Sequence, residues 1–441
     1  MPRSGKPRYW WRKPARSPVR DRIAALKEAA RAGFDAAVRR ADPGRALARC
    51  LAQHPLPVPG PGGRFLVVAV GKAAPAMTRA LLPQLTGRVE AICVTQTGNE
   101  EAAGSARVFR AGHPVPDHTG AEAAQAVIAL LEGAGPDDRV IALISGGGSA
   151  LLPAPPPGVT LADKQALNAA LLASGLDIVA MNLVRQQISQ LKGGGFLRLA
   201  APAPVTAFVL SDVVGDDLRA IASGPTVAPL GTRAEARAIL QSADLWDALP
   251  ASIRNHLQGP EDRSPLPPAS NHLIGGNAHS VEAAAKALSP DLSVIADPAP
   301  LTGDVSTAAA RIFTALQQHR GHEGPLALVW GGETTVRLTG HGLGGRNQEL
   351  ALRVAALADA RPLARPWVFL SGGTDGRDGP TDAAGAITDQ NSLPRLRKIG
   401  ADPEALLANN DSHRALTLSR DLLLTGATGT NVADVQILLL G

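Results

Sequence analysis

Seven short apolar runs, each stopping at glycine or a small polar residue and followed by helical sequence, constrain this chain more than any other feature. They are 65–70 before Gly71-Lys72, 140–144 before Ser145-Gly-Gly-Gly, 207–210 before Ser211-Asp212, 273–274 before Gly275-Gly-Asn277, 326–330 before Gly331-Gly332, 367–370 before Ser371-Gly-Gly and 422–424 before Thr425-Gly426. An uninterrupted apolar strand suits a sheet covered on both faces, where alternation would set polar groups against a covering layer. Strands alternating with helices read as a mainly parallel α/β architecture, in which ligands bind at the carboxyl ends of strands. The glycines stand at those ends. They recur at no fixed period, so no solenoid is implied.

With 441 residues, 45% of them apolar, the chain exceeds one ordinary domain. The stretch 241–270, with Pro260, Pro265, Pro267 and Pro268 near its end, reads as a linker between domains at 20–240 and 271–441. A helix over 20–41, with Ile23, Leu26, Phe34 and Val38 on one face, opens the first domain. Residues 1–19 read as a disordered basic tail, because Pro2, Pro7, Pro14 and Pro18 break any helix and no apolar signal segment is present. The net charge of +5 is misleading: seven cations fall in residues 1–20 without an acid, which leaves −2 for the remainder. No nucleic-acid partner is therefore expected. Two cysteines, Cys50 and Cys93, are too few for a disulfide framework and point to a reducing, cytoplasmic compartment. No apolar run reaches the roughly 18 residues of a membrane span. The assembly stays open, with a homodimer among the expected forms.

A glycine-rich turn entering a helix presents unpaired N–H groups and the positive end of the helix dipole, a setting for phosphate or carboxylate. Gly71, the loop Ser145, Gly146, Gly147, Gly148 and Ser149, and the turn Gly344-Gly345 before Asn347 all qualify; the competing reading of each is a tight turn. Two cations sharpen the case. Lys72 and Arg346 sit where helices begin, opposing the dipole at a cost of about 0.3–1 kcal/mol each, which an anion between them would offset. Only eight of the 44 basic residues are lysine, so Lys72 stands out. A structural ion pair, Arg346 with Glu333 or Glu349, is the alternative. Two acidic clusters, Asp212 to Asp217 and Thr374-Asp375 to Asp382, offer carboxylates for a magnesium nucleotide, Asp212 first and Asp216 second. Asx-turns and helix caps are their other use. His113 and His413 read as structural. No P-loop, C-x-x-C, H-E-x-x-H or G-x-S-x-G is present. Gly340-His-Gly342-Leu-Gly344-Gly345 satisfies G-x-G-x-x-G, but the next strand ends in Ser371 where a dinucleotide fold would place an acid.

Set in order, the segments resemble a known family. Val70-Gly-Lys-Ala-Ala74, Ile144-Ser-Gly-Gly-Gly-Ser-Ala-Leu-Leu152, Leu210-Ser-Asp-Val-Val-Gly-Asp-Asp217, Ile221-Ala-Ser-Gly-Pro-Thr226, Gly331-Gly-Glu-Thr-Thr335, Gly342-Leu-Gly-Gly-Arg-Asn-Gln-Glu349, Thr374-Asp-Gly-Arg-Asp-Gly-Pro-Thr-Asp382 and Thr425-Gly-Ala-Thr-Gly-Thr-Asn-Val-Ala-Asp434 resemble the glycerate 2-kinases with a C-terminal MOFRL domain, which lack a P-loop. The likeness runs from about residue 20 to the end. It implies a Rossmann-like, mainly parallel N-terminal domain, a second α/β domain with a mixed sheet, and an active site in the cleft between them. It implies phosphoryl transfer from ATP with Mg2+ to a hydroxyl of D-glycerate, the 2-hydroxyl. Lys72 and Arg346 match the basic residues around the transferred phosphate, while Asp212 would orient or deprotonate the acceptor or hold the metal with Asp216. Phosphate and substrate contacts would fall to Gly71, Ser145 to Ser149, Gly344, Gly345, Asn347, Glu333, Thr374 and Asp375. Lys192-Gly-Gly-Gly departs from the family's more compact Lys-Gly-Gly-x-Leu-Ala, and no role carries over to Lys192. A hydroxypyruvate reductase using NAD(P)H and a ligand-binding regulator are the rival readings.

Overall fold

The computed structural model describes residues 18–441 except 263 and 291, so the expected tail lies almost wholly outside the described residues. The first sheet holds β1 (Phe65–Val70), β2 (Val89–Gln96), β3 (Arg107–Ala111), β4 (Arg139–Ile144), β5 (Val205–Leu210) and β6 (Ala269–Gly275). All pair in parallel, in the order β3-β2-β1-β4-β5-β6. Every residue of β1 is buried, and β4 is buried beyond its first residue, which accounts for their unbroken apolar sequence. Alternate β1 side chains enter separate cores: Leu66, Val68 and Val70 with Val127 and Leu131, and Phe65, Val67 and Ala69 with Met77 and Leu81. The strand order reverses between β1 and β4. Connections leave these two strands in opposite directions, opening a crevice above their carboxyl ends.

The second sheet is mixed: β7 (Ser293–Ala296), β8 (Leu301–Asp304), β9 (Leu326–Thr335), β10 (Trp367–Gly373), β11 (Gly385–Asp389), β12 (Leu422–Leu423) and β13 (Asp434–Leu440). Its order is β12-β11-β10-β13-β9-β7, with β8 also paired to β9. β7 and β8 run parallel to β9; the other pairs are antiparallel. The helices Val305–Gln318 and Arg346–Ala360 cover one face, and Pro18–Arg40 and Asn277–Leu288 the other. Among the described residues no helix is long and apolar enough to cross a membrane.

Two sequence expectations are corrected here. The helix Pro18–Arg40 packs Ile23, Leu26, Ala30 and Phe34 on the second sheet, not the first, and Lys27 reaches Asp389 and Asp421 at 2.6 and 2.8 Å. Conversely, β6 extends the first sheet beside β5, and 241–270 contains the helix Ala251–Gln258 packed on Arg233–Ser242. The boundaries at 20, 240 and 271 therefore do not separate the sheets. An amphipathic face shows that a helix needs cover, not which sheet supplies it. The second correction concerns glycines. Gly331-Gly332 and Gly372-Gly373 lie inside β9 and β10 instead of after them. A Cβ on Gly372 would sit 2.8 Å from the Phe34 ring and from Leu423, so this glycine lets the N-terminal helix approach the sheet.

The chain crosses between sheets near Ala41 and again near Gly276. Thr430 Oγ1 donates to the Ala41 carbonyl at 2.7 Å, and Asn277 Nδ2 donates to the Val432 and Asp434 carbonyls at 2.9 and 2.8 Å. Both crossings are thereby tied to the segment 430–434, whose Thr430 and Asn431 line the cleft above the first sheet.

Candidate active site

The loops after β1 and β4 are stitched together at the switch point. Lys72 N–H donates to the Gly146 carbonyl at 2.9 Å, Ser145 N–H to the Val70 carbonyl at 2.9 Å, and Ala73 N–H to Ser145 Oγ at 3.1 Å. Ser145 is 1% exposed, and its hydroxyl, accepting from Ala73, shapes the loop. Gly147 adopts φ +85°, a left-handed conformation that turns the chain into the short helix Gly148–Leu151. Ser149 is also engaged: its Oγ accepts from Lys192 Nζ at 2.9 Å and bonds Ser223 Oγ at 2.9 Å. Lys192, left without a role by sequence, thus reaches the central loop.

Lys72 precedes the helix Ala74–Leu81 and lines an open cleft of about 830 Å³ between the two sheets. Its neighbours there are Ser145, Gly146, Gln96, Asn99 and Glu101 on one side and Asp375, Arg377, Thr430 and Asn431 on the other. Among the described residues Lys72 has no carboxylate at ion-pair distance. Asp212 follows β5 with its carboxylate so near Gly146 that a Cβ there would collide with it. Burial pushes the Asp212 carboxyl up, against the lowering effect of its own N–H and the Lys72 charge. Glu333 is likewise raised by burial; Arg346 opposes this, while Asp434, Asp212 and Asp375 reinforce it. Asp212 of the first sheet and Glu333 of the second are thus near enough to feel each other's charge.

Arg346 is placed differently. Its Nε and Nη2 clamp Asp434 at 2.6 and 2.8 Å, Nη1 meets Glu333 at 3.2 Å, and the Asp434 side chain is fully buried. Burial works to lower the arginine's pKa, but Asp434, Glu333 and Asp378 carry it above its ordinary value. The helix that Arg346 opens is already capped: Asn347 and Gln348 N–H donate to the Asp378 carboxylate at 3.0 and 2.8 Å. This corrects the expectation of phosphate at Gly344, Gly345 and Asn347. A Cβ at Gly345 would strike Asp378, one at Gly344 would strike Ser412, and the Asn347 side chain faces Ser371 and Asp378. Thr374, also expected at the ligand, is buried and holds Val432 N–H and the Ala433 carbonyl at 2.9 and 2.7 Å. Asp375 does line the cleft.

Asp216 does not join Asp212. Its carboxylate lies against Gly276, with Oδ1 buried and unpartnered. Among the described residues no three metal-ligating side chains gather into a ready cation site. Sequence reasoning passed over Arg377, Asn431 and Asp434, although all three stand in glycine-rich segments whose neighbours it had singled out. His413 contacts Asp382 at 3.2 Å, and His113 lines a separate cavity beside Gly147.

Residues 29–258 match the model of a domain of unknown function, DUF4147, and residues 326–434 match the MOFRL family. The chain is 41% identical over 422 residues to a putative hydroxypyruvate reductase of Agrobacterium vitis, covering 92% of this chain and 93% of that protein. It is 40% identical over 382 residues to the D-glycerate 2-kinase of Thermotoga maritima, covering 85% and 90% respectively. The crystal structure of glycerate kinase from Thermotoga maritima superposes with a TM-score of 0.86 at 36% identity, covering 95% of this chain and all of that one.

Proposed function

The chain belongs to the glycerate kinases that join a DUF4147 domain to a MOFRL domain, and from that membership we propose that it transfers the γ-phosphoryl group of ATP to the 2-hydroxyl of D-glycerate. The observation that supports this most is Lys72, a cation without an ion pair among the described residues, at the switch point of a parallel sheet and facing a cleft of about 830 Å³, a volume within the range typical of sites for nucleotide-sized ligands.

Phosphoryl transfer demands alignment and charge neutralisation more than covalent help from the protein. The glycerate oxygen attacks the γ-phosphorus, the bond to the ADP bridging oxygen breaks, and the hydroxyl proton leaves with a base. Lys72 neutralises oxygens of the group in flight. Asp212, its carboxyl raised by burial, stands beside the same loop and takes the proton. Arg346, held in place by Asp434, turns Nη1 from Glu333 to the phosphates. Arg377 adds a further cation on the opposite wall. Asp375 on the cleft wall and Asp212 beside the Gly146 turn are carboxylates of the kind that hold Mg2+, which is commonly bound by one or two carboxylates plus phosphate oxygens. Such an ion arriving with ATP would neutralise charge on the β- and γ-phosphates. Free Cys50 and Cys93 agree with a cytoplasmic enzyme.

The reductase reading loses its motif. Gly340 and Gly342 pack on Asn409 and Asp411, and the following helix end is filled by Asp378, so no pyrophosphate seat remains there. The test is the purified chain with MgATP and D-glycerate, its product offered to enolase alone. Immediate formation of phosphoenolpyruvate supports 2-phosphoglycerate. ADP formation that requires phosphoglycerate mutase before enolase contradicts the regiochemistry, and oxidation of NADH by hydroxypyruvate without ATP contradicts the kinase.

A further inference from the structure

The loop 145–149 lines the nucleotide-sized cleft with Ser145 and Gly146, and lines a second cavity with Gly147 and Ser149. This second cavity has a volume of about 220 Å³ and three cations, Lys164, Arg185 and Lys192. Lys164 and Lys192 are only 7% and 6% exposed. Lys164 Nζ donates to the Ile188 carbonyl, Lys192 Nζ to Ser149 Oγ at 2.9 Å, and Arg185 Nε to Asn168 at 2.9 Å. Each leaves donors over, since an ammonium has three and a guanidinium five. Among the described residues no carboxylate pairs with any of them. Burial and mutual repulsion push Lys192 down to about 7 and Lys164 well below its ordinary value; burial lowers Arg185. Three clustered basic groups without a counter-charge hold their protons poorly in a folded interior, and a bound anion favours their protonated, charged forms.

Size and position identify the anion's class. The cavity has roughly a quarter of the cleft's volume and lies below the roughly 300–1,000 Å³ of sites for larger ligands. It adjoins the cleft at Gly147, where a Cβ would lie 3.3 Å from the His113 ring and 3.4 Å from Lys72 Cγ. We propose that this cavity is the acceptor subsite: Lys164, Arg185 and Lys192 hold the carboxylate of a short hydroxycarboxylate, whose hydroxyl points past Gly147 toward Lys72 and the nucleotide. The chemistry of the acceptor rests on the kinase reading; the anion site itself does not.

Calorimetric binding of D-glycerate in the presence of MgADP, together with steady-state kinetics, on the full chain and on Arg185→Gln and Lys164→Met, tests this. In Arg185→Gln the glycerate KM and dissociation constant rise roughly ten- to a hundredfold while the ATP KM stays within about twofold. Lys164→Met raises the glycerate KM and dissociation constant likewise while the ATP KM stays within about twofold; a purely structural lysine would move both substrates' constants or neither. Unchanged glycerate constants in both variants, with phosphorylation intact, overturn the subsite and leave the kinase standing. Glycerate binding that Arg185→Gln abolishes, without any ADP formed by the parent chain, supports the anion subsite and overturns the kinase. An unaltered chain that binds no D-glycerate overturns the subsite.

Discussion

The two walls of the cleft carry the same sequence signature, a glycine turn with a cation where a helix begins, and the structure uses it in opposite ways. Lys72 has no ion pair among the described residues and lines the open cleft. Arg346 is gripped by buried Asp434, and the N-terminus of its helix is filled by Asp378. A cation set against a helix dipole signals a missing anion. On the first wall that anion must come from outside; on the second the protein supplies it.

Arg346→Ala breaks the contrast most forcibly. It leaves Asp434 buried and unpaired, so stability falls by about 3–5 kcal/mol in denaturant unfolding, alongside a large loss of turnover. Asp378→Ala uncaps the helix Arg346–Ala360 and leaves the Asn347 and Gln348 N–H groups without acceptors; an intermediate loss of about 1–3 kcal/mol is expected by the same measurement. A smaller effect concerns the acceptor side. Lys192, held to about 7 by burial and Arg185, is mostly neutral at about pH 8, and an anion beside it restores its proton. D-glycerate binding should therefore take up a fraction of a proton, seen as calorimetric heats that vary with the buffer's ionisation enthalpy. The same group binds fewer protons folded than unfolded between about 7 and its ordinary 10.5. Its contribution to stability thus rises with pH across that window, and Lys192→Met removes that slope.

The strands around the switch point were legible because a doubly covered parallel strand must be apolar throughout, as β1 and β4 are. Lys72 and the loop 145–149 followed from the turn chemistry at their ends. What was not legible is the choice of partner. Phe34 and its helix advertise an apolar face, but only tertiary structure assigns it to the second sheet through the space left at Gly372. The neutralisation of the Arg346 helix end depends on Asp378 and Asp434, distant in sequence and read there as a possible metal cluster and a family match. Of the two partners named in advance, Glu333 makes the longer contact at 3.2 Å, and Glu349 pairs with Arg353 instead. Lys164 and Arg185 escaped notice, and Lys192 was left without a role, for the same reason: the three share no motif and meet only when helices after β4 fold over the loop.

Lys72→Ala tests the central claim most directly, because the variant removes a cation that makes no ion pair among the described residues. Turnover with MgATP and D-glycerate, measured by enolase-coupled assay beside the unaltered chain, should fall roughly a hundred- to a thousandfold with the melting temperature unchanged. Turnover within about tenfold of the unaltered chain, in a variant that folds normally, would contradict the account.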